Sequence, residues 1–240
     1  RDTGVGVRGP AVAELVRAFA EIWQQLGDPL PPAITATPED AVPAGTIALR
    51  VVATVPNTAG LYRLDQLIAA MARRSLWVTD AYYVGIAPYV QSLIAAVRDG
   101  VDVRLLVPGT SDVPAVGMLS RAGYRPLIEA GVRVFEWNGS MLHAKTAVAD
   151  GRWARIGSSN LNLASWIGNC EIDIAVEDAG FAACVERQFE ADLGHATEIV
   201  LGTPRAARGP VRLQAPHRGE GSSGRAAASA LRLANSMGAA

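Results

Sequence analysis

The 240 residues are 50% hydrophobic with a mean hydropathy of +0.18, enough apolar mass for a sizeable core and too much for a disordered chain. Lys and Arg number 22 against 23 Asp and Glu, a net charge of −1, so the total carries no electrostatic footprint for bulk binding to nucleic acid or an anionic membrane. No run approaches the ~18 apolar residues of a membrane-spanning helix. Cys170 and Cys184 have neither CxxC nor Cys/His spacing, and two buried thiols in a reducing, cytoplasmic setting are expected. Residues 1–10 lack a signal-peptide pattern.

Pro10 opens a helical stretch, with Val12, Leu15, Val16, Phe19, Ile22 and Trp23 at helical spacing and Gly27 as its stop. Residues 28–45 are Pro-rich and aperiodic and read as a linker. From residue 46 strands and helices alternate: TIALRVVAT a strand, LDQLIAAMARR a helix, LWVTD a strand, APYVQSLIAAVRDG a helix, VDVRLLVP a strand. A helix over 113–130 then leads into the strand VRVFEW. This alternation predicts an α-β-α sandwich around a mixed, largely parallel sheet. Strands HAKTAVAD, WARIGS and EIDIAVED follow, then a helix over about 180–194. Residues 196–240 are rich in Arg, Ala, Gly and Ser and are expected to be a disordered tail, with a weak helical candidate at 225–237.

His143-Ala-Lys145 is the chemical centre of the sequence. In a strand, residues two apart share a face, so the two side chains project together about 6–7 Å apart. A neutral imidazole is nucleophilic near pH 7, and an ammonium neutralises non-bridging phosphate oxygens. Asp150 has the opposite parity to His143 and is expected to anchor a turn or a neighbouring segment. In Gly157-Ser-Ser-Asn160, Gly157 permits close backbone approach, Asn160 offers amide donors, and Ser158 shares its parity with Asn160. Glu171 opens a strand whose Ile172, Ile174 and Val176 take the other face. A carboxylate at that point would accept from the His143 ring and fix its tautomer. His195 and His217 have no such neighbours and read as solvated.

The joined pattern HxKxxxxD, GSxN and a later acid resembles the signature of the phospholipase D superfamily. The text over about 46–195, including YYVGIAPYVQSLIAAVRDGVDVRLLVPGTSD, is similar to the second catalytic repeat of bacterial cardiolipin synthases. The resemblance implies a phosphatidyltransferase or phosphodiesterase acting on phospholipids through a phosphohistidine, without metal or other cofactor. It implies that His143 is one of two histidines facing each other across one site, that Lys145 and Asn160 hold phosphate, and that Glu171 orients His143. It also implies a cytoplasmic or peripheral location on the inner face of the bacterial plasma membrane.

Only one HxK motif is present. Asp2-Thr-Gly-Val-Gly-Val7 followed by a helix containing Phe19 echoes Glu171-Ile-Asp-Ile-Ala-Val176 followed by a helix containing Phe189, with Asp2 opposite Glu171. Residues 1–27 are therefore expected to be the tail of a first repeat with its HxK upstream, residues 28–45 the linker and residues 46–195 the catalytic repeat. A homodimer completing the site is the other arrangement the motif allows. A nuclease using the same chemistry, or an inactive half-enzyme that only binds, are the competing functions; the scattered arginines argue against a nucleic-acid groove.

Overall fold

The computed structural model describes residues 1–28, 30–31 and 42–202. Eight strands form one sheet in the order β1-β7-β6-β5-β2-β3-β4-β8. They are β1 (Ala48–Thr54), β2 (Ser75–Thr79), β3 (Asp102–Pro108), β4 (Arg133–Trp137), β5 (Thr146–Ala149), β6 (Trp153–Gly157), β7 (Glu171–Glu177) and β8 (Ala196–Ile199). The helices are α1 (Ala11–Leu26), α2 (Gly60–Met71), α3 (Ala87–Arg98), α4 (Pro114–Glu129) and α5 (Ala179–Leu193), with a single π-helical turn at Ala164–Gly168.

Alternation along each strand divides the core. Val103, Leu105 and Val107 of β3 face Leu61, Leu93, Tyr124 and Leu127 from α2, α3 and α4. Leu106, between them, faces the other way and packs with Phe189 of α5. The remainder of α5 sits through Ala182 and Val185 on Val148, Ala154 and Ile156 of β5 and β6. Helices thus cover both faces, the expected α-β-α sandwich.

The sheet is mixed, but parallel pairing is confined to β2–β3 and β3–β4, and the other ladders are antiparallel. The helix-strand alternation that predicts parallel strands ends at β4, and hairpin-type connections take over from β5 onward. The tail also begins later than expected: Ala196–Ile199 form edge strand β8 on β4, with Arg133 and Glu198 in a two-point ion pair. The helical candidate at 225–237 and most of the linker lie outside the described residues.

Cys170 and Cys184 are both free and exposed, against the buried expectation. On α5 the buried positions are Ala182, Val185, Phe189 and Asp192, a helical stripe that Cys184 misses by one residue. Among the described residues no helix is long and apolar enough to cross a membrane.

Candidate active site

β5 runs antiparallel to both β2 and β6, with Thr146 opposite Thr79 on one side and Ile156 on the other. The start of β5 therefore shares a sheet edge with the carboxyl ends of β2, β3 and β6, the edge where open α/β sheets bind ligands. His143 and Lys145 precede β5, the Ser158–Asn160 loop follows β6, Glu171 opens β7, and Asp80 and Tyr82 follow β2.

β5 begins at Thr146 rather than at His143. Its partner β2 stops at Thr79, so on that side the ladder ends, while on the other the Gly157 N–H still donates to the Lys145 carbonyl at 3.2 Å. Met141 and His143 pair with the N-terminus: the Arg1 amino group donates to the Met141 carbonyl at 2.9 Å, and the His143 N–H donates to the Arg1 carbonyl at 2.8 Å. This brings Asp2 to the imidazole, with Nδ1 of His143 3.2 Å from its Oδ2. In a neutral ring this carboxylate assigns the proton to Nδ1 and leaves the lone pair on Nε2. The His143 side chain is 52% exposed, accessible to a substrate.

Lys145 is buried, and its Nζ donates to the His143 carbonyl at 2.5 Å. Both motif side chains meet Tyr82: the His143 ring lies edge-on at 6.0 Å between centroids, and Nζ of Lys145 is 6.0 Å from the same ring. Burial lowers the Lys145 pKa, against the raising influence of Asp2, Asp80, Glu171 and Asp173. Partial burial works to raise the Asp2 carboxyl. Hydrogen bonds from the Thr3 N–H and the His143 ring, with the nearby charges, nevertheless hold it below the ordinary carboxylate range.

The Ser158–Asn160 loop is fixed from beneath. Arg155, 1% exposed, donates to Asp173 at 2.7 Å and lies 3.3 Å from Asp65. Asp173 also accepts from the Ser159 hydroxyl, and Asp65 from the Trp166 indole at 3.0 Å. Gly157 crosses β7 so closely that a Cβ there would stand 2.6 Å from the Asp173 Cα, so no side chain fits. Asp80, fully buried, accepts from the backbone N–H groups of Leu161 and Tyr82 and so joins the loops after β2 and β6. Burial pushes its pKa up to about 7, against those hydrogen bonds and the charges of Arg155 and Lys145.

Asn160 places its amide nitrogen 3.5 Å from Ser165 Oγ and leaves Oδ1 buried without a protein partner. Exchanging the amide nitrogen and oxygen lets the Ser165 hydroxyl donate to the Asn160 carbonyl.

Glu171 does not meet His143 in this chain. β6 lies between β7 and β5, which separates the two by more than one strand spacing. Its oxygens accept from the Ser158 hydroxyl and from the Asn169 amide at 3.0 Å, so Ser158 points at Glu171. The carboxylate on the imidazole is that of Asp2, the residue aligned with Glu171 in the internal echo. Asp150 is at the opposite end of the sheet, where it accepts from the backbone N–H groups of Arg73, Arg74 and Ser75. His195 is exposed with its ring against Trp137; His217 lies outside the described residues.

Sequence reasoning passed over Asp80, Tyr82, Arg155 and the contact made by Asp2. Two signals pointed to the first pair and to Lys145: Asp80-Ala-Tyr82 stands at the carboxyl end of a parallel strand, and Lys145 is the only lysine of the chain. Among the described residues no cluster of three or more His, Cys, Asp or Glu is arranged to hold a metal ion.

A family model described as "Cardiolipin synthase, PLD-like domain" matches residues 65–193. Cardiolipin synthase A of Pseudomonas aeruginosa (strain LESB58) is 37% identical over 218 residues, covering 89% of this chain and 43% of that protein. Cardiolipin synthase A of Pseudomonas putida (strain F1) is 34% identical over 203 residues, 83% of this chain and 41% of that one. The chain thus spans less than half the length of these relatives. In fold it is similar to Nuc from Salmonella typhimurium, a phospholipase D family member, with a TM-score of 0.57 at 18% identity over 64% of this chain and 99% of that one. It is also similar to phosphatidylserine synthase of Haemophilus influenzae, with a TM-score of 0.56 at 16% identity over 76% and 45%. With the matched segment running from α2 to the end of α5, around His143, Lys145 and Asn160, the chain belongs to the phospholipase D superfamily, in its cardiolipin synthase-like branch.

Proposed function

We propose that this chain supplies one half of a phosphatidyltransferase site that exchanges the alcohols of a phospholipid phosphodiester through a phosphohistidine. The observation that carries the reading is the Asp2–His143–Lys145 arrangement: a carboxylate on Nδ1, a free Nε2, and a buried ammonium beside it. Nε2 attacks phosphorus, a P–N bond forms, and the P–O bond to the leaving alcohol breaks. Lys145 and the Asn160 amide hold the non-bridging oxygens. An acceptor alcohol then gives its proton to the group that protonated the leaving alcohol and attacks phosphorus, and the P–N bond breaks; with water as acceptor the outcome is hydrolysis.

The leaving alkoxide needs a proton that His143 cannot give. Its Nε2 is bonded to phosphorus and its Nδ1 proton is held by Asp2. A second acid is required, and we assign it to the histidine of a second half-site, from another repeat in the same polypeptide or from a second copy of the chain. Glu171 would hold that histidine, as Asp2 holds His143; a carboxylate that accepts from Ser158 and Asn169 still has lone pairs to offer. The likeness to the cardiolipin synthases supports a lipid substrate and, with it, action at a membrane surface.

The test is hydrolysis of a chromogenic phosphodiester in chelator, across a protein dilution series, beside His143→Ala. Activity that falls steeply on dilution, and at least about a thousandfold in the variant, identifies a site completed by self-association. Activity absent alone and restored by a separately produced first repeat identifies completion by that repeat. Turnover that survives His143→Ala, or a site that neither condition activates, overturns the proposal.

A further inference from the structure

Asp80, 0% exposed, lies between the two loops that carry the half-site. Its Oδ1 accepts from the Tyr82 N–H at 2.8 Å and its Oδ2 from the Leu161 N–H. Tyr82 turns its ring to both His143 and Lys145, and Leu161 directly follows Asn160, whose amide keeps an unpartnered buried atom. One carboxylate thus joins the wall beside the ammonium to the residue next to the phosphate-holding amide. The nearby cations are committed elsewhere: Arg155 to Asp173 and Asp65, and Lys145 to the His143 carbonyl. Their charges reach Asp80 through space.

Two converging N–H groups need an acceptor on each arm, which a carboxylate supplies. An amide at position 80 would set its own NH2 against one of them, and an apolar residue would leave both unmade. A buried carboxylate without a contact cation is nonetheless a costly way to join two loops. The loops have other ties, from the Val84 N–H to the Leu161 carbonyl at 3.1 Å and from the Asn162 amide to the Tyr82 carbonyl at 2.9 Å. What Asp80 adds is control of the gap between Tyr82 and Asn160. Protonation would put a hydrogen on an oxygen that already faces an N–H, and one of the two contacts would be lost.

Resting on the reading of the half-site given above, we infer that Asp80 is its positioning residue: the ionised carboxylate sets Asn160 and Tyr82 around Lys145 for a phosphodiester anion, and the neutral acid releases them. The groups facing Asp80 are Tyr83, Tyr89 of α3, Tyr124 of α4, Arg155 of β6 and Lys145. Burial raises all three phenols, Tyr124 to about 12, so they stay neutral near pH 7. Burial works against the charge on Arg155, but Asp65 and Asp173 outweigh it. Asp80 itself is pushed by burial to about 7. Its negative charge works against an anion at Lys145, so a purely electrostatic role would tighten binding as pH falls. Positioning predicts the opposite slope.

Because Lys145 is the only lysine, lysine-selective 13C labelling of the full chain gives one Cε resonance, and ligand binding can be followed without turnover. The probe is dimethyl phosphate, which remains a monoanion throughout and adds no titration of its own. Its affinity should fall about tenfold from about pH 8.5 to about pH 5.5, the loss of one hydrogen bond to a charged oxygen. Asp80→Asn should bind at about the weak, low-pH level of the wild type across the range; His143 is present in both chains, so the difference isolates Asp80. If Asp80→Asn does not fold, the profile of His143→Ala decides, because the imidazole no longer contributes and the fall should persist. An affinity that is flat or rises as pH falls, or a profile that Asp80→Asn leaves unchanged, overturns the inference while the anion site stands. Failure of dimethyl phosphate to move the resonance at any pH sinks the half-site reading and this inference with it.

Discussion

The β5–β6 hairpin has two ends, and the HxKxxxxD motif places residues at both. At the far end Asp150 sits at φ 56°, and its carboxylate accepts from three successive backbone N–H groups. At the near end His143 is half exposed, Asn160 keeps an unpartnered amide atom, and a buried lysine has carboxylates around it without a direct ion pair. One end is satisfied internally; the other holds polar capacity in reserve for a ligand. A shared motif therefore joins a structural clamp to a chemical site, and the two should respond to substitution in opposite ways.

The largest effect is expected beneath the near end. Arg155 neutralises Asp173 and Asp65, both buried, and through Asp173 and Ser159 it fixes the loop that carries Asn160. Arg155→Met leaves two carboxylates uncompensated and should cost about 3–5 kcal/mol, read as a lowered denaturant midpoint. A loss below ~1 kcal/mol would mean that the near end does not depend on this cluster, and the contrast between the ends would need another cause.

Asp150→Gly comes next. Glycine accepts the positive φ, so the variant isolates the loss of the three acceptor contacts. A cost of about 2 kcal/mol is expected in thermal unfolding, with the Lys145 response to phosphate unchanged. The Asp150 carboxyl is held below its ordinary range by the Ser75, Arg74 and Arg73 N–H groups, which outweigh partial burial. Its contribution is therefore fully present above the unfolded value of 3.8 and is lost as pH falls through the lower folded value. The deficit of the variant should shrink in that acid window, and a deficit independent of pH would assign the effect to the backbone alone.

The core, helices and strands were legible because the apolar patterns are distinct: β3 is a short apolar run buried on both faces, and α5 carries a buried stripe. Chain order placed His143 and Lys145 just before β5 and Asn160 just after β6, at one sheet edge. A shared face for His143 and Lys145 presupposed a strand at His143, where β5 has not yet begun. What the sequence could not show is which carboxylate meets which base. Glu171 lies near His143 in chain order, but β6 separates them. Asp2 lies 141 residues from its partner, and only pairing of the N-terminus with Met141 and His143 brings it there. Asp80 left only the signal of its place after a parallel strand, because its role of receiving backbone N–H groups from two loops leaves no spacing pattern. The proportion of parallel strands was overestimated for a related reason: the number of helices before β4 is visible, while the order in which strands join the sheet is not.

The smallest effect has the opposite sign. Lys145 is a buried ammonium whose stabilising partners are hydrogen-bonding carbonyl and field rather than a contact ion pair, so Lys145→Met should remove a cost and raise stability by about 0.5–1 kcal/mol near pH 7. Burial lowers its folded pKa below the ordinary lysine value of 10.5. Between the folded and unfolded values the unfolded chain binds more protons, so stability should rise with pH across that window and the advantage of Lys145→Met should fade. The Cε titration midpoint reports the same shift directly, and Asp2→Asn, which removes the foremost raising charge, should move it lower still. A destabilised Lys145→Met would show that the ammonium is part of the clamp after all, and the division between a satisfied end and a reserved end would fail at its central residue.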